Sequence, residues 1–218
     1  MTQTSWFQNK HVVLGVTGGI ACYKACELAR ELGRRGAMVQ VVMTEAATAF
    51  VSALTFQALT GREVKVSMLD PKAEAGMGHI ELARWADLIL VAPCTANTMA
   101  LLAQGHAPDL LSTVWAAAAC EKAIAPAMNQ QMWKHPETQA NLERLVGKVQ
   151  IIGPDSGIQA CGDVGSGRMS EALEIANTLE ATLNRGPLAR RRVVITAGPT
   201  QEPVDPVRYL GNRSSGKM

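Results

Sequence analysis

The residues best suited to chemistry in this 218-residue chain are polar groups set just beyond short apolar runs. Lys122-Ala123-Ile124-Ala125 reads as a buried strand, and Pro126 ends it, because proline has no N–H for a ladder and fixes its own φ. Asn129 then stands just past a strand tip, where open α/β sheets gather their ligands. Its carboxamide is both acceptor and donor, suited to holding a carboxylate or an amide. The same spacing also fits a plain strand-to-helix turn with Asn129 as N-cap.

Two more loops of this kind precede it. Gly15-Val16-Thr17-Gly18-Gly19-Ile20-Ala21 follows a β-branched run and opens a helical pattern, so backbone N–H groups and the positive helix end there favour a phosphate. The spacing is not G-x-G-x-x-G. The next strand runs into Thr44, where a dinucleotide site would want an acid for the ribose, although Glu45 follows at once. A mononucleotide such as FMN fits better, with the Thr17 and Thr44 hydroxyls bonding its phosphate or ribityl chain. Ala92-Pro93-Cys94-Thr95-Ala96-Asn97-Thr98 adds small polar groups, Thr95 and Asn97 among them, at the same sheet edge. His79 sits in a glycine-bounded loop with Gly76 and Gly78, where it can face a cleft and move a proton; solvent exposure is the plainer reading of its position.

The elements that must position these groups alternate. Residues 11–17, 38–43, 87–93, 122–125 and 149–152 read as strands. Residues 20–35, 46–59, 81–86, 94–103, 109–120 and 136–145 read as helices. Val64 and Val66 hint at an edge strand. Strands and helices at this spacing imply an α/β fold, a doubly wound parallel sheet of Rossmann-like type. Residues 153–168 hold five glycines, too many for a helix and too irregular for a strand, and read as a mobile lid or a surface loop. Cys161 lies there; the other four cysteines sit among apolar residues and read as core. Ser170 is the expected N-cap of a last helix reaching residue 183. Residues 185–192 read as a linker, and Val193-Val194-Ile195-Thr196-Ala197-Gly198-Pro199-Thr200 as the start of a second β-loop unit.

Composition narrows the classes. Apolar residues are 47% of the chain and net charge is +2, so a packed core is expected, with no nucleic-acid surface. Arg190-Arg191-Arg192 has no neighbouring aromatics and reads as solvated linker. No apolar run reaches the roughly 18 residues of a membrane span. Met1 to Lys10 is polar with no signal-peptide core, and the five cysteines contain no C-x-x-C pair. A reduced, cytoplasmic protein without a structural zinc or other metal site is expected.

The ordered strings also carry a resemblance. Pro126-Ala127-Met128-Asn129-Gln130-Gln131-Met132-Trp133 resembles the Pro-x-Met-Asn-x-x-Met-Trp signature of the flavin-containing cysteine decarboxylases. Gly18-Gly19-Ile20-Ala21, His79, Ala92-Pro93 through Asn97-Thr98, and Ala160-Cys161-Gly162-Asp163 through Gly167-Arg168-Met169 are similar to the phosphopantothenoylcysteine decarboxylase half of bifunctional coenzyme A enzymes. Ala197-Gly198-Pro199-Thr200, Asp205 through Tyr209 and Asn212 through Met218 look like the start of the ligase half, cut off before most of its nucleotide site. The resemblance implies a decarboxylase domain over 1–184, a linker over 185–192 and a truncated ligase start over 193–218.

It further implies FMN as cofactor, and CTP with Mg only for the ligase half. The implied substrate is the small molecule 4′-phospho-N-pantothenoylcysteine, whose CH2–SH is oxidised to a thioaldehyde. The C=S then serves as electron sink for loss of CO2, and the resulting ene-thiol is reduced to 4′-phosphopantetheine. By resemblance His79 assists the oxidation, Asn129 with Met128 holds the substrate carboxylate, and Cys161 supplies a proton for the last step. Trimers assembled into a dodecamer, with the flavin at a subunit interface, are also implied. Two alternatives are a peptidyl-cysteine decarboxylase, which would lack the tail from Val193, and a non-catalytic flavin-binding regulatory subunit.

Overall fold

In β1 (His11–Val16) the side chains of Val12, Leu14 and Val16 enter one core and Val13 the opposite one, because successive strand residues point to opposite faces. The protein is described by a computed structural model over residues 5–68, 78–184, 194 and 201–211. Helix α1 (Cys22–Arg34) buries Ala25, Leu28, Ala29 and Leu32, one helical face. β2 (Met38–Met43) follows, then α2 (Glu45–Thr48) and α3 (Ala53–Thr60). The single helix expected over 46–59 breaks at Ser52, whose extended backbone lets its hydroxyl accept from Leu54 N at 3.2 Å and cap α3.

The alternation continues through α4 (His79–Trp85), β3 (Leu88–Cys94), α5 (Ala96–Gln104), α6 (Leu110–Ala117) and β4 (Glu121–Pro126). It closes with α7 (Gln130–Lys134), α8 (Pro136–Leu145) and β5 (Gln150–Ile151). The hint of an edge strand at Val64 and Val66 reduces to one parallel bridge between Lys65 and Val42. All five strands pair in parallel in the order β2-β1-β3-β4-β5, the doubly wound sheet expected from the alternation. β3 is buried throughout, as a central strand covered on both faces must be. Its Leu88, Leu90 and Ala92 join the core under α1 and α3, while Ile89, Val91 and Cys94 join the core under α4, α5 and α6. The strand order reverses between β1 and β3, so the loops after these strands splay apart at the carboxyl edge and leave a crevice.

Residues 153–168 are a correction to the sequence reading. They form an antiparallel hairpin, β6 (Asp155–Ile158) and β7 (Val164–Arg168). The glycines that argued against a strand serve a close approach: Gly167 adopts φ 145°, and a Cβ there would strike the Met128 carbonyl oxygen. Met128 N donates to Gly167 O at 2.9 Å, which seats β7 on the turn after β4. Ser170 does not cap the last helix, α9 (Ala172–Leu183). Glu171 takes the cap position, and the Ser170 hydroxyl donates to Asp155 Oδ1 at 2.7 Å, bracing the base of the hairpin. α9 buries Ile175, Ala176 and Leu179 in the core that α1 also enters, and Arg35 joins the two helices through Glu180 at 2.7 Å.

The chain divides into two units, Met1–Asn184 and Arg185–Met218. In the second, β8 (Gln201–Pro203) and β9 (Tyr209–Gly211) pair antiparallel. Asp205 accepts from Val207 N and Arg208 N in the turn, and these bonds hold its carboxyl below the usual range. Apart from Val194, the expected β-loop unit over 193–200 lies outside the described residues, as does Asn212. Among the described residues no helix is long and apolar enough to cross a membrane, and no group of three or more His, Cys, Asp or Glu could hold a metal ion.

Candidate active site

A cleft of about 1210 Å3 opens at the carboxyl edge of the sheet, on the crevice where the strand order reverses. Four loops that leave buried strands line it, together with residues of α1 and of the hairpin. After β1 come Gly18, Gly19, Ile20 and Ala21, and after β2 comes Thr44. Thr95 and Asn97 follow β3, and Met128 and Asn129 follow β4. Gly18 is fixed in type by packing: a Cβ would lie 2.6 Å from Ala46 Cβ and 2.9 Å from the Ala46 carbonyl carbon.

Two groups expected at the cofactor are placed otherwise. Thr17 is buried and off the cleft; its hydroxyl donates to Pro93 O at 2.7 Å and accepts from Thr95 N at 3.2 Å. It joins the loops after β1 and β3 and is not free to bond a ligand. Pro93 is a buried member of β3 whose carbonyl is that acceptor, and it does not line the cleft. Thr95 caps α5, its Oγ1 accepting from Thr98 N at 3.3 Å.

Thr44 differs from all of these. Its Oγ1 is buried with no hydrogen-bond partner, the one such side-chain atom among the described residues, and the residue lines the cleft. It stands at the N-cap position of α2 but makes no side-chain cap bond. An unmet hydroxyl on the crevice, near the glycine loop after β1, fits the phosphate or ribityl oxygens of a mononucleotide.

At the other end of the cleft Asn129 both caps a helix and faces the site. Its Oδ1 accepts from Gln131 N at 2.8 Å, the N-cap bond of α7. Its Nδ2 is turned toward the hairpin, 3.3 Å from Gln159 Oε1, 3.5 Å from Cys161 Sγ and 3.2 Å from Asp163 Oδ2. The structure therefore brings Asn129 and Cys161 together from positions 32 residues apart. Cys161 is the exposed cysteine. Cys22 and Cys94 are buried, and burial pushes the Cys94 thiol up to about 12, far from any reactive thiolate. A carboxamide donor beside an accessible thiol can hold a carboxylate and deliver a proton close by.

His79 is not in a loop but is the first residue of α4, after Gly78, and it is not among the residues lining this cleft. Among the polar residues of the site that sequence reasoning missed are Lys24, Gln159 and Asp163. Buried Lys24 lines the cleft from α1, its Nζ donating to Met169 O at 2.8 Å and to Glu171 Oε1 at 2.6 Å. Gln159 lines it from the end of β6, and Asp163 reaches Asn129 from the hairpin tip. The nearest signal for the last two was their closeness in sequence to Cys161.

Residues 2–184 match the Flavoprotein family, and residues 188–218 match the DNA/pantothenate metabolism flavoprotein C-terminal domain. Over 210 residues the chain is 55% identical to the Coenzyme A biosynthesis bifunctional protein CoaBC of Vibrio cholerae, covering 96% of this chain and 53% of that one. The chain thus spans about half the length of the curated relatives it matches. Among solved structures, a mutant PPC decarboxylase complexed with pantothenoylaminoethenethiol superposes with a TM-score of 0.70 at 30% identity, over 81% of this chain and 99% of that one. The FMN binding protein AtHal3 gives 0.68 at 31% identity, over 80% and 97%.

Proposed function

The chain belongs to the Flavoprotein family, and from that premise we propose that residues 1–184 form an FMN-dependent decarboxylase converting 4′-phospho-N-pantothenoylcysteine to 4′-phosphopantetheine in coenzyme A biosynthesis. The observation that carries the reading is the pairing of Asn129 Nδ2 with Cys161 Sγ at 3.5 Å, in a cleft whose far wall holds the unmet Thr44 hydroxyl. The PPC decarboxylase name of one structural neighbour supports it, as does the ene-thiol bound to that neighbour's cysteine-to-serine mutant.

In this reading residues 18–21, Thr44, Thr95 and Asn97 hold FMN, with backbone N–H groups after β1 and the Thr44 hydroxyl facing its phosphate and ribityl chain. FMN when bound supplies a two-electron acceptor that later returns the pair, which lets the substrate pass through a thioaldehyde able to accept the electrons that CO2 leaves behind. The protein's own groups do the rest. Asn129 turns its NH2 to the substrate side, with Oδ1 held away by Gln131 N; Gln159 Oε1 keeps one of its two hydrogens, and the substrate carboxylate takes the place of the exposed Asp163 carboxylate at the other. Met128 lies beside it as part of the same carboxylate-holding turn. Cys161 gives its thiol proton to the ene-thiol carbon in the final reduction. His79, which assists the oxidation, lies off this chain's cleft, so it acts from a neighbouring copy. That reading calls for a homo-oligomer, for which the resemblance implies trimers assembled into a dodecamer; such an interface would also cover the exposed Ile20 and Tyr23 at the cleft.

We assign residues 193–218 to the start of a ligase domain, with Asn212 among its site residues; a full-length domain of that kind would join 4′-phosphopantothenate to cysteine using CTP and Mg. The match over 188–218 supports this and sets the chain apart from a peptidyl-cysteine decarboxylase. The cytoplasm is the expected compartment.

The test is direct. The purified protein is heated to release its flavin, and the holoprotein is mixed with 4′-phospho-N-pantothenoylcysteine. Release of FMN, evolution of CO2 and formation of 4′-phosphopantetheine are expected. Release of FAD, NAD or no nucleotide overturns the cofactor, and absence of CO2 overturns the activity.

A further inference from the structure

Gln159 has the densest polar surroundings at the cleft, and the reading above gives it no part. It is only 9% exposed, and both ends of its carboxamide are engaged. Oε1 accepts from Gln130 N at 3.0 Å and from Asn129 Nδ2 at 3.3 Å. Nε2 donates to Met128 O at 3.3 Å and to Ser166 O at 3.4 Å. A backbone N–H can only donate and a backbone carbonyl can only accept, so these partners leave Gln159 one orientation. Turned the other way, its amide would face the Gln130 N–H and its oxygen would face two carbonyl oxygens.

That fixed orientation passes to Asn129. A carboxamide has two orientations of nearly equal shape, and only one presents N–H groups to a carboxylate. Gln131 N asks for the Asn129 oxygen on one side, and Gln159 Oε1 and the Asp163 carboxylate ask for the nitrogen on the other; of these two acceptors Asp163 is exposed, and Gln159 is the buried one with its orientation fixed. We propose that Gln159 is a positioning residue that locks the Asn129 carboxamide with its NH2 toward the substrate carboxylate. Gln159 touches neither substrate nor cofactor in this role; it acts through Asn129. The proposal rests on the assignment of Asn129 to the substrate carboxylate.

Two unreactive ligands separate orientation from simple anchoring of the hairpin. In one, serine replaces the cysteine of the substrate, keeping the carboxylate without the thiol. In the other, ethanolamine replaces it, removing the carboxylate as well. Affinities of both for the holoprotein are read from the flavin spectrum, in the native protein, Gln159→Met and Asn129→Leu. Methionine matches glutamine in length and has no polar end. Gln159→Met should weaken the serine ligand by about 10-fold or more, the scale of a lost bond to a charged group, and the ethanolamine ligand by less than about 2-fold. Equal weakening of both makes Gln159 a mere anchor of the hairpin and overturns the proposal, as does no change in either. If Asn129→Leu also keeps the native preference for the serine ligand, the assignment of Asn129 fails and this proposal with it. If Asn129→Leu loses that preference and Gln159→Met keeps it, the proposal alone fails. Should Gln159→Met not fold, the smaller Gln159→Ala, which leaves room for water at the Gln130 N–H and the Met128 carbonyl, is read by the same rule: selective weakening of the serine ligand supports positioning, and equal weakening of both ligands, or no change in either, overturns it.

Discussion

Replacing Thr44 by valine should move stability and cofactor affinity in opposite directions. The two side chains have nearly the same shape, so packing beneath α2 is kept, and no cap bond is lost because the Thr44 side chain makes none. What changes is one buried hydroxyl without a partner. Leaving such a group unmet costs about 1–3 kcal/mol, so its removal should stabilise the apoprotein by about 1 kcal/mol. For a domain of this size that is a rise in Tm of about 2–4 °C. If the same hydroxyl meets a charged phosphate oxygen of FMN, losing that bond costs about 1.5–3 kcal/mol, or about 10- to 100-fold in Kd. The assay pairs thermal melting of the flavin-free protein with a fluorescence titration of FMN into it. A variant with lower apoprotein Tm and unchanged FMN affinity refutes the reasoning on both counts. Such a result would mean that Thr44 has a partner within the protein and faces no ligand.

Three further variants test other parts of the site. Asn129→Asp should keep the cap bond to Gln131 N and the flavin spectrum but abolish CO2 release, because it replaces the amide donor with a second carboxylate facing Asp163; near-native turnover would remove Asn129 from the mechanism. Cys161→Ser exchanges a thiol for a far weaker acid, so the final protonation should slow by about 10²- to 10⁴-fold while a single burst of CO2 equal to the number of sites survives. A variant with no burst would place Cys161 earlier in the reaction. Gly18→Ala sets a Cβ 2.6 Å from Ala46 Cβ, so one loop must yield at about 1–3 kcal/mol, and the protein should purify with little flavin; a full flavin complement at native Tm would refute this.

How far the sequence alone reached depends on the range of each interaction. β1, β3 and β4 were legible because their apolar runs are continuous and their ends are marked by glycine or proline, all local signals. Asn129 was legible as an N-cap, and its oxygen does cap α7; the placing of its nitrogen 3.5 Å from Cys161 Sγ was not legible. Thr17 was read correctly as a polar residue at the sheet edge, but not its partners, which lie 76 and 78 residues on at Pro93 and Thr95. The hairpin was hidden because glycine count measures propensity, whereas pairing of β6 with β7 depends on contact with the turn after β4. Gln159 and Asp163 were missed for the same reason. Each becomes part of the site only when that hairpin docks, 30 and 34 residues from Asn129.

The Thr17 hydroxyl has a consequence for binding thermodynamics. Because it bridges Pro93 O and Thr95 N, the loops on either side of the crevice share one fixed separation before any ligand arrives. Ordering a loop or a rotamer-rich side chain on binding costs about 0.5–1.5 kcal/mol per group, and here that entropy is lost during folding. The cradle is preorganised. A buried residue that never touches the ligand thereby sets part of its affinity, and loosening that bridge would appear as faster ligand dissociation without any contact being removed.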